Sequence, residues 1–178
     1  KIWVFLLSLA LLTAEVSAQA KFEASDLFQA EISQFRRTGP YAEVESACQT
    51  LAKNFPDAVR CFSIGRTSEG RSIWALAISR SGALTPSQAK RSGVPVVLAI
   101  GGTHAGEIDG KDAGLILIRN LLKNPPPNDP LKQQVFLFVP VFNVDGHERP
   151  SPYNRPNQNG PVLQGERVTA QRINLNRD

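Results

Sequence analysis

Several features are scarce in this 178-residue sequence, and each absence excludes a class of protein or site. There is no methionine, not even at position 1, so we expect the recorded chain to lack its true beginning. The two cysteines form no CxxC motif and no cysteine-rich cluster, so any metal must be held by other residue types. The net charge is only +4 and no run of lysine or arginine occurs, so nucleic acid is not an expected partner. Glycine and proline, at 13 residues each, are close to average usage, which excludes a low-complexity chain.

The first twenty residues are typical of a secretory signal peptide rather than of a folded domain. Lys1 precedes an apolar run over residues 2–12, and small residues stand at Ala18 and Ala20. A basic start, a short apolar stretch and a small-x-small end are the features of such peptides. A membrane anchor is the alternative, but the run is too short to cross about 30 Å of hydrocarbon. We therefore predict that residues 1–20 are a signal peptide. The protein is then expected to be secreted or periplasmic, without a stable membrane anchor.

Export changes the interpretation of the two cysteines, Cys48 and Cys61. In an oxidising compartment they could form a disulfide, which would stabilise the fold by roughly 3 kcal/mol for a loop of this size. The alternative is that both are small buried apolar residues. The sequence favours the disulfide but leaves both interpretations open.

The rest of the sequence predicts one domain in which helices and strands alternate. Hydrophobic periodicity predicts helices over 22–37, 41–54 and 110–123, and strands over 59–64, 72–79, 94–100 and 135–142. The first two strands are separated by turn residues and form a probable hairpin, while the polar residues 80–93 are expected to be a surface loop. Strand 94–100 is almost continuously apolar, which is typical of a strand buried on both faces in a parallel sheet. With the following helix and strand it predicts a strand–helix–strand unit, so the fold class is α/β.

Regular structure is not predicted beyond residue 142. Residues 143–178 are rich in glycine, proline, asparagine and arginine. Loops this long in a compact domain are usually functional. This segment also follows the carboxyl end of a predicted strand, where open α/β sheets bind their ligands.

A histidine and a glutamate follow the buried strand in the sequence Gly101-Gly102-Thr103-His104-Ala105-Gly106-Glu107. Residues three apart can share one face at the start of a helix, so His104 and Glu107 can converge on one point. Imidazole and carboxylate are zinc ligands. A histidine packed at the strand end beside a surface glutamate is the alternative interpretation. After the next strand, Asn143 and Asp145 are expected to be turn formers, and His147 an exposed loop residue rather than a ligand.

Taken in order, the motifs resemble those of the zinc carboxypeptidase family. They are GGTHAGE at 101–107, PVFNVDG at 140–146, an arginine within the asparagine-rich loop at 153–161, and NLNRD at 174–178. The segment 63–74 is similar to the strand pair at the start of the same domain. The resemblance extends over about 41–178 and implies a mixed, largely buried sheet flanked by helices. Residues 21–178 would then be the N-terminal part of a catalytic domain truncated at its C-terminus.

The resemblance also implies a set of functional residues. His104 and Glu107 would be two of three ligands of a zinc ion, and Asn176 and Arg177 would hold the terminal carboxylate of a peptide or protein substrate. Arg155 would polarise the scissile carbonyl and stabilise the developing oxyanion. The activity implied is zinc-dependent hydrolysis of the C-terminal peptide bond.

This sequence departs from the family pattern in two places. The family often has arginine directly before the ligand glutamate, where this chain has Gly106. The third ligand and the general-base glutamate of the family lie beyond the Asn-Arg motif, after Asp178, so His147 is not taken as a ligand. Two alternatives stay open, namely a zinc-dependent deacylase of N-acyl amino acids, similar to aspartoacylase, and a secreted non-catalytic peptide-binding protein.

Overall fold

The computed structural model of the chain describes residues 23–178, so the predicted signal peptide lies outside the described residues. The α-helices are α1 (Gln29–Ile32), α2 (Tyr41–Asn54), α3 (Pro86–Ser92), α4 (Asp109–Lys123) and α5 (Val144–His147). The strands are β1 (Val59–Arg66), β2 (Ser72–Ile78), β3 (Val96–Ile100) and β4 (Val135–Val139). Short 3-10 turns lie at Ala24–Asp26 and Pro130–Lys132.

The four strands form one mixed sheet in the order β1-β2-β4-β3. β1 and β2 pair as the predicted antiparallel hairpin, and β2 is also antiparallel to β4. β3 and β4 are parallel neighbours, joined in the chain by α4, which confirms the predicted strand–helix–strand unit. The carboxyl ends of β3 and β4 therefore lie side by side at one edge of the sheet.

Helices α2 and α4 contribute to a single apolar core with one face of the sheet. Val44 of α2 and Ile118 of α4 are fully buried in the same cluster as Ile78 of β2. A disulfide between Cys48 and Cys61 joins α2 to β1, which confirms the favoured interpretation of the two cysteines. The opposite face of the sheet carries a smaller cluster, in which Ala77 and Val135 pack near α3.

The sequence interpretation of β3 was wrong in one respect. Val96, Val97, Leu98 and Ile100 are each 42–55% exposed, although their run of apolar residues indicated burial on both faces. β3 is the edge strand of the described sheet and pairs with β4 alone, so one of its edges and much of its surface lack a neighbour among residues 23–178.

Two other elements differ from the sequence predictions. The helix predicted over 22–37 is shortened to α1, because Gln34 and Phe35 take left-handed backbone angles and end it. Phe35, one of the periodic apolar residues, is 71% exposed and packs against no core. The surface loop predicted at 80–93 contains α3, which Thr85 caps at its N-terminus and left-handed Gly93 ends. Within residues 23–178, no helix is both long and apolar enough to span a bilayer.

Candidate functional site

The candidate site is built where the chain leaves β3 and β4. The ligand loop, which we define as residues 101–107, follows β3, and its backbone bonds to the extension of β4. Phe142 N–H donates to Gly101 O and Asn143 N–H to Gly102 O, both at 2.9 Å. A side chain at Gly101 would collide with the carbonyl oxygen of Pro140, and Gly102 has a φ of +56°. Glycine is thus required at both positions for the loop to lie against the neighbouring strand.

The ligand loop brings His104 and Glu107 together as predicted. His104 Nδ1 lies 3.1 Å from Glu107 Oε1, and the imidazole is 5% exposed. The two residues converge on a turn, in which Glu107 N–H donates to His104 O, rather than on the first turn of a helix, since α4 begins only at Asp109. The expected pair therefore forms with a different local backbone.

The other nitrogen of His104 is held by a residue to which sequence reasoning assigned no role. His104 Nε2 lies 2.9 Å from the side-chain oxygen of Asn174, which accepts a hydrogen bond from Nε2–H. This contact leaves the lone pair of Nδ1 directed at the Glu107 carboxylate. Two electron-rich atoms facing each other at 3.1 Å require a proton or a cation between them.

A small opening of these two atoms would give the spacing of zinc ligands. Ligands about 2.0–2.2 Å from a tetrahedral zinc are separated by about 3.3–3.6 Å, a few tenths of an ångström more than the 3.1 Å observed between Nδ1 and Oε1. An acceptor on the second imidazole nitrogen is the usual outer contact of a zinc-bound histidine. Among the described residues no group of three His, Cys, Asp or Glu side chains could hold a metal. His104 and Glu107 would therefore be only two of the ligands that such a site needs.

Arg155 joins the same cluster. Its Nη2 donates to Glu107 Oε1 at 2.7 Å, and its guanidinium is buried. Burial of the carboxyl group acts to raise the pKa of Glu107, but the hydrogen bond from Arg155 and the contact with His104 outweigh it and hold that pKa below the usual value. Glu107 is therefore ionised at neutral pH, as a metal ligand must be.

Asn176 and Arg177 lie near the cluster but are not part of it. Both are exposed, and among residues 23–178 the guanidinium of Arg177 has one hydrogen-bond partner, the backbone oxygen of Asn176, at 2.6 Å. Asn176 N–H donates to the side-chain oxygen of Asn174, which also contacts His104. Asn174 thus links the predicted carboxylate-binding pair to the ligand loop, and the two exposed side chains are accessible to a ligand.

Asp145 has a larger structural role than that of a turn former. Its buried carboxylate accepts hydrogen bonds from Thr67 Oγ1 at 2.8 Å, Arg71 Nη1 at 2.6 Å and Glu69 N–H at 3.2 Å. Burial acts to raise the pKa of Asp145, but the bonds from Thr67, Arg71 and the backbone of Glu69 lower it below the usual value. Asp145 therefore fixes α5 to the β1–β2 turn. Asn143, the other expected turn former, caps α5 by accepting from Gly146 N–H.

His147 is not an exposed loop residue, contrary to the sequence interpretation. It is 7% exposed, because α5 packs its ring edge-on against Tyr41 at a centroid distance of 6.3 Å. Its Nδ1 contacts Glu148 Oε1 at 3.0 Å, and its Nε2 has no hydrogen-bond partner among the described residues. Among the described residues, no hydrogen bond or ion pair joins His147 to His104 or Glu107.

Comparison with known families gives a match to the family described as "Zinc carboxypeptidase", over residues 44–178. Carboxypeptidase D of Drosophila melanogaster is 28% identical over 113 residues, which are 61% of this chain and 8% of that protein. A protein of Ajellomyces dermatitidis named "Inactive metallocarboxypeptidase ECM14" is 30% identical over 135 residues, 74% of this chain and 21% of that protein. The chain thus spans about a fifth or less of the length of these relatives.

Solved structures with the same fold are also carboxypeptidases. Carboxypeptidase A of Helicoverpa armigera has a TM-score of 0.57 at 27% identity, over 76% of this chain and 30% of that one. A metallo-carboxypeptidase of Burkholderia cenocepacia has a TM-score of 0.53 at 26% identity, over 78% of this chain and 32% of that one. The mixed sheet with its helices is therefore a carboxypeptidase fold.

Proposed function

The chain belongs to the zinc carboxypeptidase family, and on this basis we propose that the protein hydrolyses the C-terminal peptide bond of peptides or proteins. The observation that carries the proposal is the pairing of His104 Nδ1 with Glu107 Oε1, with the second imidazole nitrogen held by Asn174. His104 and Glu107 are the residues that would hold zinc. Zinc bound there would supply a Lewis acid and lower the pKa of a bound water to about 7.

The chain's own residues bind and orient the substrate in this proposal. Asn176 and Arg177 bind the terminal carboxylate, for which a guanidinium and an amide are suitable donors. Arg155 donates to the oxygen of the scissile carbonyl as negative charge develops there. Its Nη2 is engaged by Glu107, whereas its Nη1 is buried and has no hydrogen-bond partner among the described residues, so Nη1 is the donor left for this contact once a substrate oxygen reaches it. Removing one donor of this kind typically costs about 10²–10³ in rate.

The test is a set of three substrates given to the full-length protein with and without a zinc chelator. The substrates are a peptide with a free C-terminus, the same peptide amidated, and an N-acyl amino acid. We expect release of the last residue from the free peptide alone, with loss of activity in chelator and recovery on adding zinc. Faster hydrolysis of the N-acyl amino acid would replace the carboxypeptidase proposal with the deacylase alternative.

A second candidate is a non-catalytic peptide-binding protein, which the name of the ECM14 relative favours. In that case Asn176 and Arg177 would still bind a terminal carboxylate without hydrolysis. Binding of the free peptide, no binding of the amidated one and no turnover in the presence of zinc would support this candidate.

We further propose that the protein is exported, to the periplasm or outside the cell. The disulfide between Cys48 and Cys61 supports this, because such bonds persist in oxidising compartments. N-terminal sequencing of the protein from its native source tests the proposal. A terminus at Gln19 or Lys21 would support it, and one that retains residues 2–12 would contradict it.

A further inference from the structure

We propose that Arg155 is a positioning residue for Glu107, which holds the ligand carboxylate turned towards His104. This inference rests on the proposed zinc site. It assigns Nη2 of Arg155 to the orientation of Glu107, whereas the proposed function assigns Nη1 of Arg155 to the substrate. The same carboxylate oxygen, Glu107 Oε1, lies 2.7 Å from Arg155 Nη2 and 3.1 Å from His104 Nδ1. Arg155 and His104 therefore fix one rotation of the glutamate side chain between them.

The arginine is the fixed partner in this ion pair. The side chain of Glu107 is 47% exposed, whereas that of Arg155 is 8% exposed. An exposed glutamate keeps most of its rotamer freedom, and ordering it costs up to about 1.5–2 kcal/mol. A guanidinium that is buried and bonded through Nη2 can hold the carboxylate in one orientation before a metal arrives.

The backbone next to Arg155 is fixed as well. The side-chain NH₂ of Asn154 donates to the carbonyl oxygens of Arg149 and Gln164, both at 2.8 Å. Ser151 and Gln164 also pair as an isolated antiparallel bridge. These bonds close the two ends of the loop around Arg155, so the position of its side chain is set by the loop.

Gly106 makes room for the side chain of Arg155. A Cβ at Gly106 would lie 2.8 Å from Arg155 Cγ and 2.7 Å from the carbonyl oxygen of Gly165. The aliphatic part of Arg155 thus occupies the space into which a side chain at 106 would extend. The glycine that departs from the family pattern and the arginine that orients Glu107 are consequently one structural unit.

The test measures zinc affinity by competition with a chromophoric chelator, without reference to activity. We expect Arg155→Met, which keeps much of the aliphatic chain, to weaken zinc binding about tenfold to a hundredfold, the usual effect of losing an outer-shell contact. Arg155→Lys keeps the charge but loses the planar fork, so it should also weaken binding. Arg91→Met, in exposed α3, is the matched control and should leave the affinity unchanged. Thermal unfolding checks that each variant is folded.

The charge of Arg155 acts in the opposite sense, since a guanidinium near the site repels a divalent cation. If charge alone mattered, Arg155→Met would bind zinc more tightly and Arg155→Lys would match the wild type. That result would overturn the positioning role. Gly106→Ala tests the same role without replacing Arg155. The added Cβ displaces the Arg155 side chain, so this variant should also weaken zinc binding.

Glu107→Gln separates failure of this inference from failure of the proposed function. If Glu107→Gln leaves zinc binding unchanged, the proposed metal site is wrong and the role of Arg155 fails with it. If Glu107→Gln weakens binding while Arg155→Met does not, only the positioning role is contradicted. In the Glu107→Gln background, Arg155→Met should have little further effect on zinc affinity.

Discussion

The ligand loop and the segment that follows α5, residues 148–178, are fixed by different kinds of contact. The ligand loop is held by backbone hydrogen bonds to the neighbouring strand extension and by glycines that allow close approach. The later segment has scattered backbone bonds of its own and is held in addition by side chains, among them Asn154 and the ion pairs of Arg149 and Arg172 with Glu166. The proposed metal ligands thus depend on the sheet, whereas the residues proposed to bind substrate depend more on polar side-chain contacts.

Helix α5 stands between these two regions, so its anchor is expected to give the largest effect. Asp145→Ala leaves the guanidinium of Arg71 and the hydroxyl of Thr67 without their buried partner. Arg71 is partly exposed and keeps Glu69 as a partner, so the main loss is that of hydrogen bonds to a buried carboxylate, and we expect the free energy of unfolding to fall by about 1.5–3 kcal/mol. Urea unfolding measures it. Asp57→Ala, at an exposed position, should change stability by less than about 0.5 kcal/mol; equal effects of both variants would contradict the anchoring role.

The backbone support of the ligand loop is tested by Gly101→Ala. The added Cβ would collide with the carbonyl oxygen of Pro140, so the loop and the β4 extension must separate. Overpacking of this kind costs about 1–3 kcal/mol, and zinc binding should weaken with it. Gly65→Ala is the matched control, since a Cβ there meets no atom within 4 Å. If Gly101→Ala is as stable as Gly65→Ala, the close approach of the two strand extensions is not required.

The later segment should respond differently, through substrate rather than through metal. Arg177→Ala removes an exposed guanidinium with no partner in the ligand loop. Hydrogen bonds to charged groups contribute about 1.5–3 kcal/mol, so kcat/KM for a free-carboxylate peptide should fall roughly tenfold to a hundredfold. Zinc affinity should stay the same. Lys53→Ala, an exposed change in α2, controls for loss of charge, and unchanged cleavage by Arg177→Ala would remove this residue from the site.

The smallest predicted effect is a pH dependence of stability that originates at Asp145. Its pKa in the folded chain lies below the ordinary value of 3.8. A lowered pKa stabilises the fold above the ordinary value, and this stabilisation is lost as the pH falls through the lower, folded value. The difference in unfolding free energy between wild type and Asp145→Asn should therefore be constant from pH 7 to about 5 and shrink below about pH 4. A difference that grows on acidification would contradict the assigned direction.

Sequence patterns correctly predicted those helices and strands whose apolar residues pack against another element of the fold. Helix α2 begins and ends where expected, and the hairpin and the parallel pair of β3 and β4 are confirmed. The helix predicted at 22–37 had the right period but no surface to pack on, and Phe35 remains exposed. Burial of β3 was overestimated, because an apolar run does not reveal how many neighbours a strand has.

The candidate site residues could be picked out of the sequence where they are metal-ligand residue types in a recognisable order. His104 and Glu107 come together as expected, and Arg155 joins them. The contact between Asn174 and His104 spans 70 positions in the chain and has no local signal, so it required the structure. The role of Gly106 also required the structure, because it depends on the side chain of Arg155, which packs against this glycine.

The most direct test of the account uses the fact that the chain has only two histidines. Zinc affinity of the full-length protein is compared with that of His104→Ala and His147→Gln, each checked for folding by circular dichroism. We predict that His104→Ala weakens zinc binding by more than about a hundredfold, beyond the usual loss for an outer-shell contact, and that His147→Gln binds zinc as the wild type does. Normal zinc binding by His104→Ala, or its loss in a folded His147→Gln, would contradict the proposed site.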